Sequence, residues 1–503
     1  MGNGKTAILV IHGMGSQRPL ATLRGVVDAL WLDGSDGAKD LWYTYPKSDD
    51  GSALDTPTIQ TDDKNPGGIF EFHELYWAPI MARASTATVP LWLFELMRKG
   101  PGTLRNNILV AWHLGAFLVG AWLYSFSLIG LAIVSHYLGF PGDQSEAAGV
   151  APLLVAAGVG SAVAGWRGLL SVLAAAVLFS LVGIGLAISG CSIANQTAVL
   201  TSFHWLAFTT DGRPGLWVAL GFAVLFVIAN VVAFKSVLGD AARYYRTSPV
   251  NISARRAVRS LAVKRLEALH KANYNRIIIV SHSLGSVIAY DMLRAYWAHA
   301  RWSIKPPVGW PIFDVQNATT LKVDFTTWRN NGRDIISHCE TARNCVGQPP
   351  GWLVTDFITL GSPLAHARFL QAEGSNKSEL RKSFKKKIKE REFPRCPPHI
   401  VGDDMRLTFK WRDPENGGAE VNSLHQAALF GLTRWTNLYY PAKWLLFGDV
   451  VGGPLTQALL GKFICNVRLD DGPLFGHVKY WHNAPASAIK SLRKAVNLHD
   501  ERA

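Results

Sequence analysis

One short segment, residues 277–286, constrains the fold of this chain more than any other. It begins with the β-branched run Ile277–Val280, which is typical of a buried parallel strand. The residues from Leu284 to Ala300 follow a helical pattern, and a turn of small residues that contains Ser283 separates strand from helix. This order predicts a strained turn that lifts the serine Oγ clear of the sheet. An ordinary strand-to-helix connection is the alternative.

A second glycine-containing turn follows the first predicted strand, residues 7–11. In α/β-hydrolases a turn at this position supplies one N–H of the oxyanion hole, and the residue after the nucleophile supplies the other. The two predicted donors are therefore the backbone N–H groups of Met14 and Leu284. We call the strained turn at Ser283 the nucleophile elbow and the second turn the oxyanion loop. We expect these two turns to be formed by His12, Gly13, Gly15, Ser281, His282 and Gly285.

A serine nucleophile needs a histidine base, which follows the serine and the acid in the chain order of this fold. His477 fits best, because its loop comes just before a helix predicted over residues 486–498 at the end of the chain. His482 is the alternative, whereas His425 lies within a helical pattern and is interpreted as structural.

The acid that orients the base is sought after the strand predicted over residues 435–440. Asp449 follows that strand in a loop rich in turn residues, and we predict it to be the acid. Asp470 and Asp471 are nearer to His477 in the chain, but Asp-Asp-Gly-Pro is typical of a turn.

Several of these segments resemble lipase-type α/β-hydrolases, and the serine segment resembles intracellular phospholipases of the DDHD type. The segments that carry the resemblance are residues 281–291, 357–364, 437–450 and 477–481. The resemblance implies an α/β-hydrolase sheet, mostly parallel and with helices on both faces. It also implies a serine ester hydrolase that acts on lipid or phospholipid.

Four apolar runs separate the first predicted strand from the serine segment. Each is long enough to cross about 30 Å of hydrocarbon as a helix, and none contains Asp, Glu, Lys or Arg. The runs cover about residues 108–134, 147–164, 168–190 and 216–234. Buried helices of a soluble protein are the alternative. We predict a four-helix transmembrane insert that interrupts the α/β-hydrolase sheet.

The orientation in the membrane follows from the sheet and from charge. Strands 7–11 and 277–280 must lie in one sheet, so the number of crossings between them must be even. Lysines and arginines precede the first run and follow the fourth, where the chain leaves and re-enters the predicted sheet. The loop between the first and second runs, residues 135–146, contains none. The positive-inside rule then places the catalytic part on the cytoplasmic side of a multi-pass membrane protein. We expect no cleavable signal peptide.

The chain divides accordingly into three parts. Residues 1–105 form the N-terminal part of the hydrolase domain, 106–235 the transmembrane region, and 236–503 the C-terminal part. Polar stretches over about 301–351 and 374–420 are interpreted as cap insertions.

Further elements follow from local pattern. We predict a helix over residues 20–32, a loop over 47–68 and a strand over 70–77. A helix over 251–272 is amphipathic, and its predicted apolar side carries Ile252, Val258, Leu261, Leu266 and Leu269.

The net charge of +14 favours an anionic partner. No nucleic-acid motif accompanies it, so we expect no nucleic acid and favour contact with anionic lipid headgroups. The densest basic run lies between residues 382 and 389, and we expect Lys385, Lys386, Lys387 and Lys389 to contact the membrane. A solvated basic helix is the alternative.

The five cysteines, at positions 191, 339, 345, 396 and 465, match no disulfide framework and no pair of metal ligands. We expect reduced thiols, no metal and no cofactor.

Together these features predict a membrane-anchored serine hydrolase that cleaves acyl esters, with membrane lipids or a lipid ester as its partners. An acyltransferase with the same triad is one alternative. A transport or scaffold protein with an inactive hydrolase domain is another. The absence of charged residues from the spans disfavours coupled transport, because proton and ion pathways need such groups.

Overall fold

The computed structural model describes about half of the chain, including the residues around Ser283. The described residues are 5–15, 17–31, 42–45, 58–61, 69–81, 92, 95–96, 240–246, 248–272, 274–303, 314–315, 352–374, 376–390, 392–393, 399–401, 404–406, 408–413, 417–426, 428–442, 447–455, 464–470 and 472–498. The four predicted membrane spans and most of the first cap insertion lie outside them.

An eight-stranded sheet organises the described part of the chain. Its strands are β1 (Lys5–Ile11), β2 (Trp42–Tyr45), β3 (Thr58–Thr61), β4 (Ile69–Leu75), β5 (Arg276–His282), β7 (Val354–Leu360), β12 (Arg434–Tyr439) and β13 (Cys465–Arg468). They lie in the order β13-β12-β7-β5-β1-β4-β3-β2. The strands from β13 to β4 run parallel, and β3 and β2 extend the sheet with antiparallel pairs. The predicted α/β class with a mostly parallel sheet is confirmed.

Helices connect and cover the strands. They are α1 (Ala21–Trp31), α2 (Ala78–Met81), α3 (Pro249–Lys271), α4 (Leu284–Ser303), α5 (Ala367–Gln371), α6 (Lys377–Lys389), α7 (Leu429–Leu432) and α8 (Ala486–Val496). Two 3₁₀ turns, Pro363–His366 and Gly476–Val478, follow β7 and β13. Local sequence starts α3: the Ser248 side chain accepts the N–H of Asn251, and Pro249 occupies the first turn.

Alternation along the strands sends side chains to both faces of the sheet. On one face, Ile8 and Val10 of β1 join a buried cluster with Leu23 of α1 and Leu492 of α8. On the other face, the rings of Phe357 and Trp435 lie 4.8 Å apart, and Trp435 also contacts Tyr290 of α4. Both faces are therefore covered, which explains why the parallel strands are continuous apolar runs.

In the described part of the chain, two small sheets lie in the predicted cap regions or extend just beyond them. Strands β10 (Thr408–Asp413) and β11 (Ala419–Leu424) form an antiparallel hairpin. Strands β6 (Asp314–Val315), β8 (His399–Val401) and β9 (Asp404–Arg406) form a three-stranded sheet in the order β6-β9-β8.

The prediction of a loop over residues 47–68 was wrong, because β3 lies within it. Ile59 pairs with Phe72 of β4 and is fully buried, as are Thr58 and Thr61. A strand this short is stabilised by its partner in the sheet rather than by its own pattern, so local sequence does not reveal it.

The predicted apolar side of the helix over 251–272 was also partly wrong. Val258, Leu266 and Leu269 are buried, but Ile252 is 46% exposed and Leu261 is 38% exposed. Ala254 and Ala262 take part in the buried face instead. Small side chains at these positions are packed against the rest of the domain although they contribute little to an apolar pattern.

The chain separates into two compact units. Unit 1 comprises residues 1–83, 247–373 and 380–503, and it contains the eight-stranded sheet. Unit 2 comprises residues 84–246 and 374–379. In its described part, Trp92 stacks on Tyr245 with ring centroids 6.3 Å apart, and Arg246 pairs with Glu95 at 2.9 Å. Within the described ranges, no helix has the length and apolar character needed to cross a membrane.

Candidate active site

The site lies at one edge of the sheet, where parallel strands end together. His12 follows β1, Ser283 follows β5, and Gly361 follows β7. The segments that carry Asp449 and His477 come after β12 and β13, respectively. The fold therefore brings residues that are far apart in the chain to one place.

Ser283 occupies the turn between β5 and α4 and has a φ angle of +51°, which is unusual for a residue with a side chain. Its N–H donates to the carbonyl of Leu360 at 2.9 Å. Its carbonyl accepts the hydroxyl of Ser286 at 2.6 Å. These bonds hold the strained turn in place, so the conformation is fixed by its surroundings.

The small residues beside Ser283 permit close packing of the turn. A Cβ on Gly285 would lie 2.4 Å from the carbonyl oxygen of His12 and 2.5 Å from that of Ile11. The start of α4 therefore packs directly on the end of β1. Ser281 is buried and donates its hydroxyl to the carbonyl of Ile358 at 3.0 Å.

The structure brings Ser283, His477 and Asp449 into one chain of hydrogen bonds. The Ser283 Oγ lies 2.9 Å from Nε2 of His477, and Nδ1 of His477 lies 2.9 Å from Oδ1 of Asp449. Because Nδ1–H donates to the carboxylate, Nε2 is left to accept the serine proton. The His477 side chain is 21% exposed, so this arrangement has access to solvent.

Asp449 is fully buried and surrounded by donors. Its Oδ1 accepts the N–H groups of Val451 at 2.8 Å and Gly452 at 2.9 Å, in addition to His477. Burial opposes the charge, but His477 and these donors, together with the hydroxyl of Tyr480, hold the pKa of Asp449 below its ordinary value. The carboxylate is thus kept ionised.

The loop that carries Asp449 is tied to the sheet by Asn437 of β12. The Asn437 amide donates to the carbonyl of Gly453 at 3.0 Å and to the side-chain oxygen of Asn466 at 2.9 Å. That oxygen of Asn466 also accepts the N–H of Leu455 at 2.8 Å. These contacts tie one part of the loop to the two strands on either side of it, β12 and β13.

The predicted oxyanion loop lies against the serine turn. Gly13 packs on His282 and Ser283, since a Cβ added to it would be 2.8 Å from Nδ1 of His282. Gly15 adopts a φ of +97°, and Met14 between the two glycines is half-buried. Leu284 is the first residue of α4, where an N–H has no intrahelical acceptor.

His12 anchors this loop. Its Nδ1–H donates to the carbonyl of Gly13 at 2.8 Å, and its Nε2 accepts the N–H of Trp77 at 3.2 Å. The imidazole also stacks on the Trp77 ring with centroids 4.7 Å apart. Burial lowers the pKa of His12 to about 4, so the ring is neutral at pH 7.

His282 joins the serine turn to the histidine loop. Its Nε2–H donates to the backbone carbonyl of His477 at 2.7 Å, and its ring meets that of Trp481 edge-on at 4.7 Å. Burial, and then the neighbouring His477, lowers the pKa of His282 to about 3. His282 is a neutral packing and hydrogen-bonding group rather than a second base.

The sequence did not assign a role to Gly361, which lies beneath the acid. Gly361 has a φ of +57°, and a Cβ there would lie 2.5 Å from Oδ2 of Asp449 and 3.1 Å from Nδ1 of His477. The next residue, Ser362, has its Oγ 2.6 Å from that of Ser286. The Gly-Ser-Pro turn was the available signal, and the structure shows why its glycine lacks a side chain.

Tyr480 is a second neighbour of the acid that sequence reasoning missed. Its hydroxyl donates to Oδ2 of Asp449 at 2.7 Å, and the residue is buried. Its position three residues after His477 was visible, but the contact depends on how the two loops meet.

The alternative residues lie elsewhere. His482 and Asp470 are exposed, and Asp471 is outside the described residues. His425 follows β11 and is not in a helix, so that interpretation of its setting was wrong. The carbonyl of His425 accepts the indole N–H of Trp297 at 3.1 Å, which makes it part of the core.

Four exposed apolar side chains lie on the loop that carries His477 or on the segment paired with that loop. Phe475 and Val478 flank it in the chain and are 57% and 59% exposed, whereas Phe447 and Leu474 are 49% and 42% exposed. Phe447 and Leu474 pair as an isolated antiparallel bridge, and the N–H of Gly448 donates to the carbonyl of Pro473 at 3.1 Å. We call these four side chains the apolar rim.

The basic run forms the amphipathic helix α6, which buries Leu380 and Phe384. Lys385, Lys386 and Lys389 are exposed, and Lys386 forms only a long, solvent-exposed pair with Glu390 at 3.8 Å. Lys387 differs, because its side chain is 18% exposed and lies 3.1 Å from Glu392 and 3.4 Å from Glu373. The Lys387 ammonium is therefore neutralised by ion pairs within the protein.

Cys465 is a free, exposed thiol, and the other four cysteines lie outside the described residues. In the part of the chain that the structure describes, no group of His, Cys, Asp or Glu side chains is arranged to hold a metal ion.

Comparison of the chain with protein-family models, with curated proteins and with solved structures gives no match in any of the three. The functional assignment therefore depends on the geometry of the site itself.

Proposed function

We propose that this chain is a serine ester hydrolase of the lipase-like α/β-hydrolase type. The observation that carries the proposal is the continuous hydrogen-bonded chain from Ser283 through His477 to Asp449, with both bonds at 2.9 Å. Nucleophile, base and acid have these mutual positions in serine hydrolases. The strained turn at Ser283 adds support, because strain of this kind concentrates at functional sites.

In the proposed reaction, His477 Nε2 takes the Ser283 proton while Oγ attacks the ester carbonyl carbon. The backbone N–H groups of Met14 and Leu284 are assigned to the oxyanion. His477 then gives the proton to the departing alcohol oxygen, which leaves an acyl-serine. Water, deprotonated by the same nitrogen, attacks the acyl carbon, and the serine regains its proton as the carboxylic acid leaves.

A lipid ester is the proposed substrate. The apolar rim beside His477 supports this, because exposed apolar side chains favour contact with an acyl chain over contact with a charged or strongly hydrated group. Attachment of the chain to a membrane by the four apolar runs remains a prediction, since those residues lie outside the described ranges.

The exposed face of α6 is proposed to bind anionic headgroups, through Lys385, Lys386 and Lys389 but not through Lys387. Changing the three exposed lysines to glutamine should raise the apparent KM on phosphatidylserine-containing vesicles and leave turnover of a soluble ester unchanged. The difference should shrink as salt rises. Lys387→Gln is the matched control. An equal KM change in the control would contradict the proposal.

The central test is covalent labelling. A fluorophosphonate probe should label the wild-type protein, because an activated serine attacks phosphorus as it attacks a carbonyl. Ser283→Ala should abolish labelling, whereas Ser281→Ala, two residues away, should retain it. Labelling that persists in Ser283→Ala would refute the assignment. Hydrolysis should then be compared across esters of increasing acyl length, and a preference for short chains would contradict the lipid assignment.

A further inference from the structure

The acid of the proposed triad receives donors on both of its oxygens. Oδ1 accepts the N–H groups of Val451 and Gly452 and the Nδ1–H of His477. Oδ2 accepts the hydroxyl of Tyr480 at 2.7 Å. A buried carboxylate is costly unless its lone pairs are satisfied, and the phenol meets this need on the side away from the imidazole.

Tyr480 is itself held firmly. Its oxygen accepts the N–H of Tyr440 at 3.3 Å, and its ring packs against the ring of Tyr440 at 5.0 Å and that of His282 at 5.8 Å. Burial and the adjacent Asp449 charge raise the pKa of Tyr480 well above its ordinary value. The phenol therefore stays protonated and acts as a fixed donor.

We propose that Tyr480 is a positioning residue of the triad, acting through Asp449 on His477. The inference rests on the proposed function, and it adds a fourth member to the hydrogen-bonded chain. By drawing charge towards Oδ2, the phenol limits how strongly the carboxylate attracts a proton on the imidazole. By fixing the plane of the carboxylate, it keeps Oδ1 directed at Nδ1–H and Nε2 directed at Ser283.

The neighbours of Asp449 determine which group a change in the pH profile reports. Among the described residues, Asp449 contacts His477, Tyr480 and two backbone N–H groups, and its charge also acts on His282, whose ring lies 5.0 Å from that of His477. Because burial lowers the pKa of His282 to about 3, His282 does not titrate in the range in which an esterase is assayed. A shift of the acid limb of the profile therefore does not arise from His282.

The test is Tyr480→Phe, which keeps the buried ring and removes the hydroxyl. The rate of fluorophosphonate labelling and kcat/KM for a short soluble ester are measured from about pH 5 to 9. We expect roughly a tenfold loss of rate at the plateau, the size expected for one hydrogen bond to a charged group. The acid limb should move to higher pH, because a carboxylate with one donor fewer attracts the imidazolium more strongly.

Tyr440→Phe is the matched control. It removes a hydroxyl from the neighbouring buried tyrosine, whose bond goes to the carbonyl of Lys479 at 3.0 Å and not to the acid. Its acid limb should coincide with that of the wild type. If both variants move the limb equally, or if neither moves it, the role of Tyr480 is overturned.

A second protein guards against misfolding of the phenylalanine variant. With 3-fluorotyrosine at position 480 the hydroxyl is retained and becomes a stronger donor, so the acid limb should move to lower pH. An unmoved limb in this protein would overturn the inference. Failure of the wild type to label at Ser283 would instead refute the proposed function, so the two failures are distinguishable.

Discussion

Two hydrogen-bonded clusters in this protein, each built around a buried carboxylate, contain the same residue types but differ in their surroundings. At the edge of the sheet, Asp449 accepts hydrogen bonds from Tyr480 and His477. Within the sheet, Glu71 of β4 accepts the hydroxyl of Tyr274, and Nε2 of His73 lies 2.9 Å from that hydroxyl. We call the second cluster the inner network. Its members are Lys5, Glu71, His73, Arg265 and Tyr274.

The two histidines differ in which nitrogen is available. In the inner network, Nδ1 of His73 faces the guanidinium of Arg265 at 3.1 Å, which cannot accept a proton, so Nδ1 must act as the acceptor. The proton then lies on Nε2, towards Tyr274. At the edge, His477 carries its proton on Nδ1, and its acceptor nitrogen faces the hydroxyl of Ser283. The partner of the acceptor nitrogen thus distinguishes the proposed base, His477, from the structural ring of His73.

The two clusters also differ in how accessible they are to solvent. His73 and Glu71 are fully buried in the middle of β4, where His73 is in register with Leu9 of β1. His477 lies beyond the end of its strand in a 3₁₀ turn and is partly exposed. The inner network also pairs Glu71 with Lys5 at 3.2 Å. We infer that it ties β1, β4 and α3 together and has no part in the reaction.

The sharpest test of this comparison is the same substitution in both histidines. His477→Gln should lower turnover by several orders of magnitude, on the scale of about 10⁶ for loss of a triad member, with little change in unfolding. His73→Gln should leave turnover per folded molecule unchanged and lower the urea midpoint. Esterase assays and urea titrations on both variants provide the measurement. A comparable loss of turnover in His73→Gln would mean that the inner network supports the chemistry.

The carboxylates offer a second pair. Asp449→Asn should cost about 10⁴ in kcat, because the amide no longer selects the productive tautomer. Glu71→Gln should instead cost about 1.5–3 kcal/mol in the free energy of unfolding, since the buried hydroxyl of Tyr274 loses a charged acceptor, whereas the half-exposed Lys5 can turn to solvent. Kinetics and denaturant titration separate the outcomes. A stable Glu71→Gln protein would show that the ion pair with Lys5 contributes little.

The sequence predicted the cluster of Ser283, His477 and Asp449 better than it predicted the inner network, for a physical reason. Ser283, Asp449 and His477 lie in turns after strands, and a parallel sheet necessarily gathers such turns at one edge. The inner network has no such signal. Glu71 and His73 are polar residues inside a strand, and their partners in α3 and before β5 are far away in the chain. Only packing reveals that they meet.

Contacts between loops could not be predicted from the sequence either. The sequence placed Gly361 and Tyr480 next to recognisable motifs, yet their contacts with Asp449 depend on how three loops converge. The same limit explains the loop wrongly expected over residues 47–68, since β3 exists because β4 offers it an edge.

A third test uses two glycines with similar backbone conformation. Gly361 and Gly417 have φ angles of +57° and +65°, but a Cβ on Gly417 would meet nothing within 4 Å. Alanine at either position should cost on the order of 1 kcal/mol in unfolding from backbone strain. Gly361→Ala should in addition displace Asp449 and lower kcat roughly 100-fold, as a shift of about 1 Å does. Equal kcat values for the two variants would show that the acid tolerates displacement.

The smallest expected effects concern pH, and they separate two buried groups at the edge of the sheet. Burial lowers the pKa of His12 to about 4 and raises that of Glu74 to about 7. The unfolded His12 binds a proton near pH 6.5. The contribution of neutral, buried His12 to the free energy of unfolding is therefore complete above that pH and is lost as the pH falls towards 4. Folded Glu74 keeps its proton up to about pH 7, whereas the unfolded residue loses it near pH 4.5. Its contribution to the free energy of unfolding is therefore complete below pH 4.5 and is lost as the pH rises through 7.

The two groups therefore oppose each other between pH 7 and 5, and the wild type shows only the net slope. His12→Asn should make the protein lose less stability on acidification, and Glu74→Gln should make it lose more, each by on the order of 1 kcal/mol. Urea titrations at both pH values measure the change. Slopes that move in the same direction in the two variants would contradict the assigned protonation states, and with them the neutral His12 that anchors the oxyanion loop through Gly13.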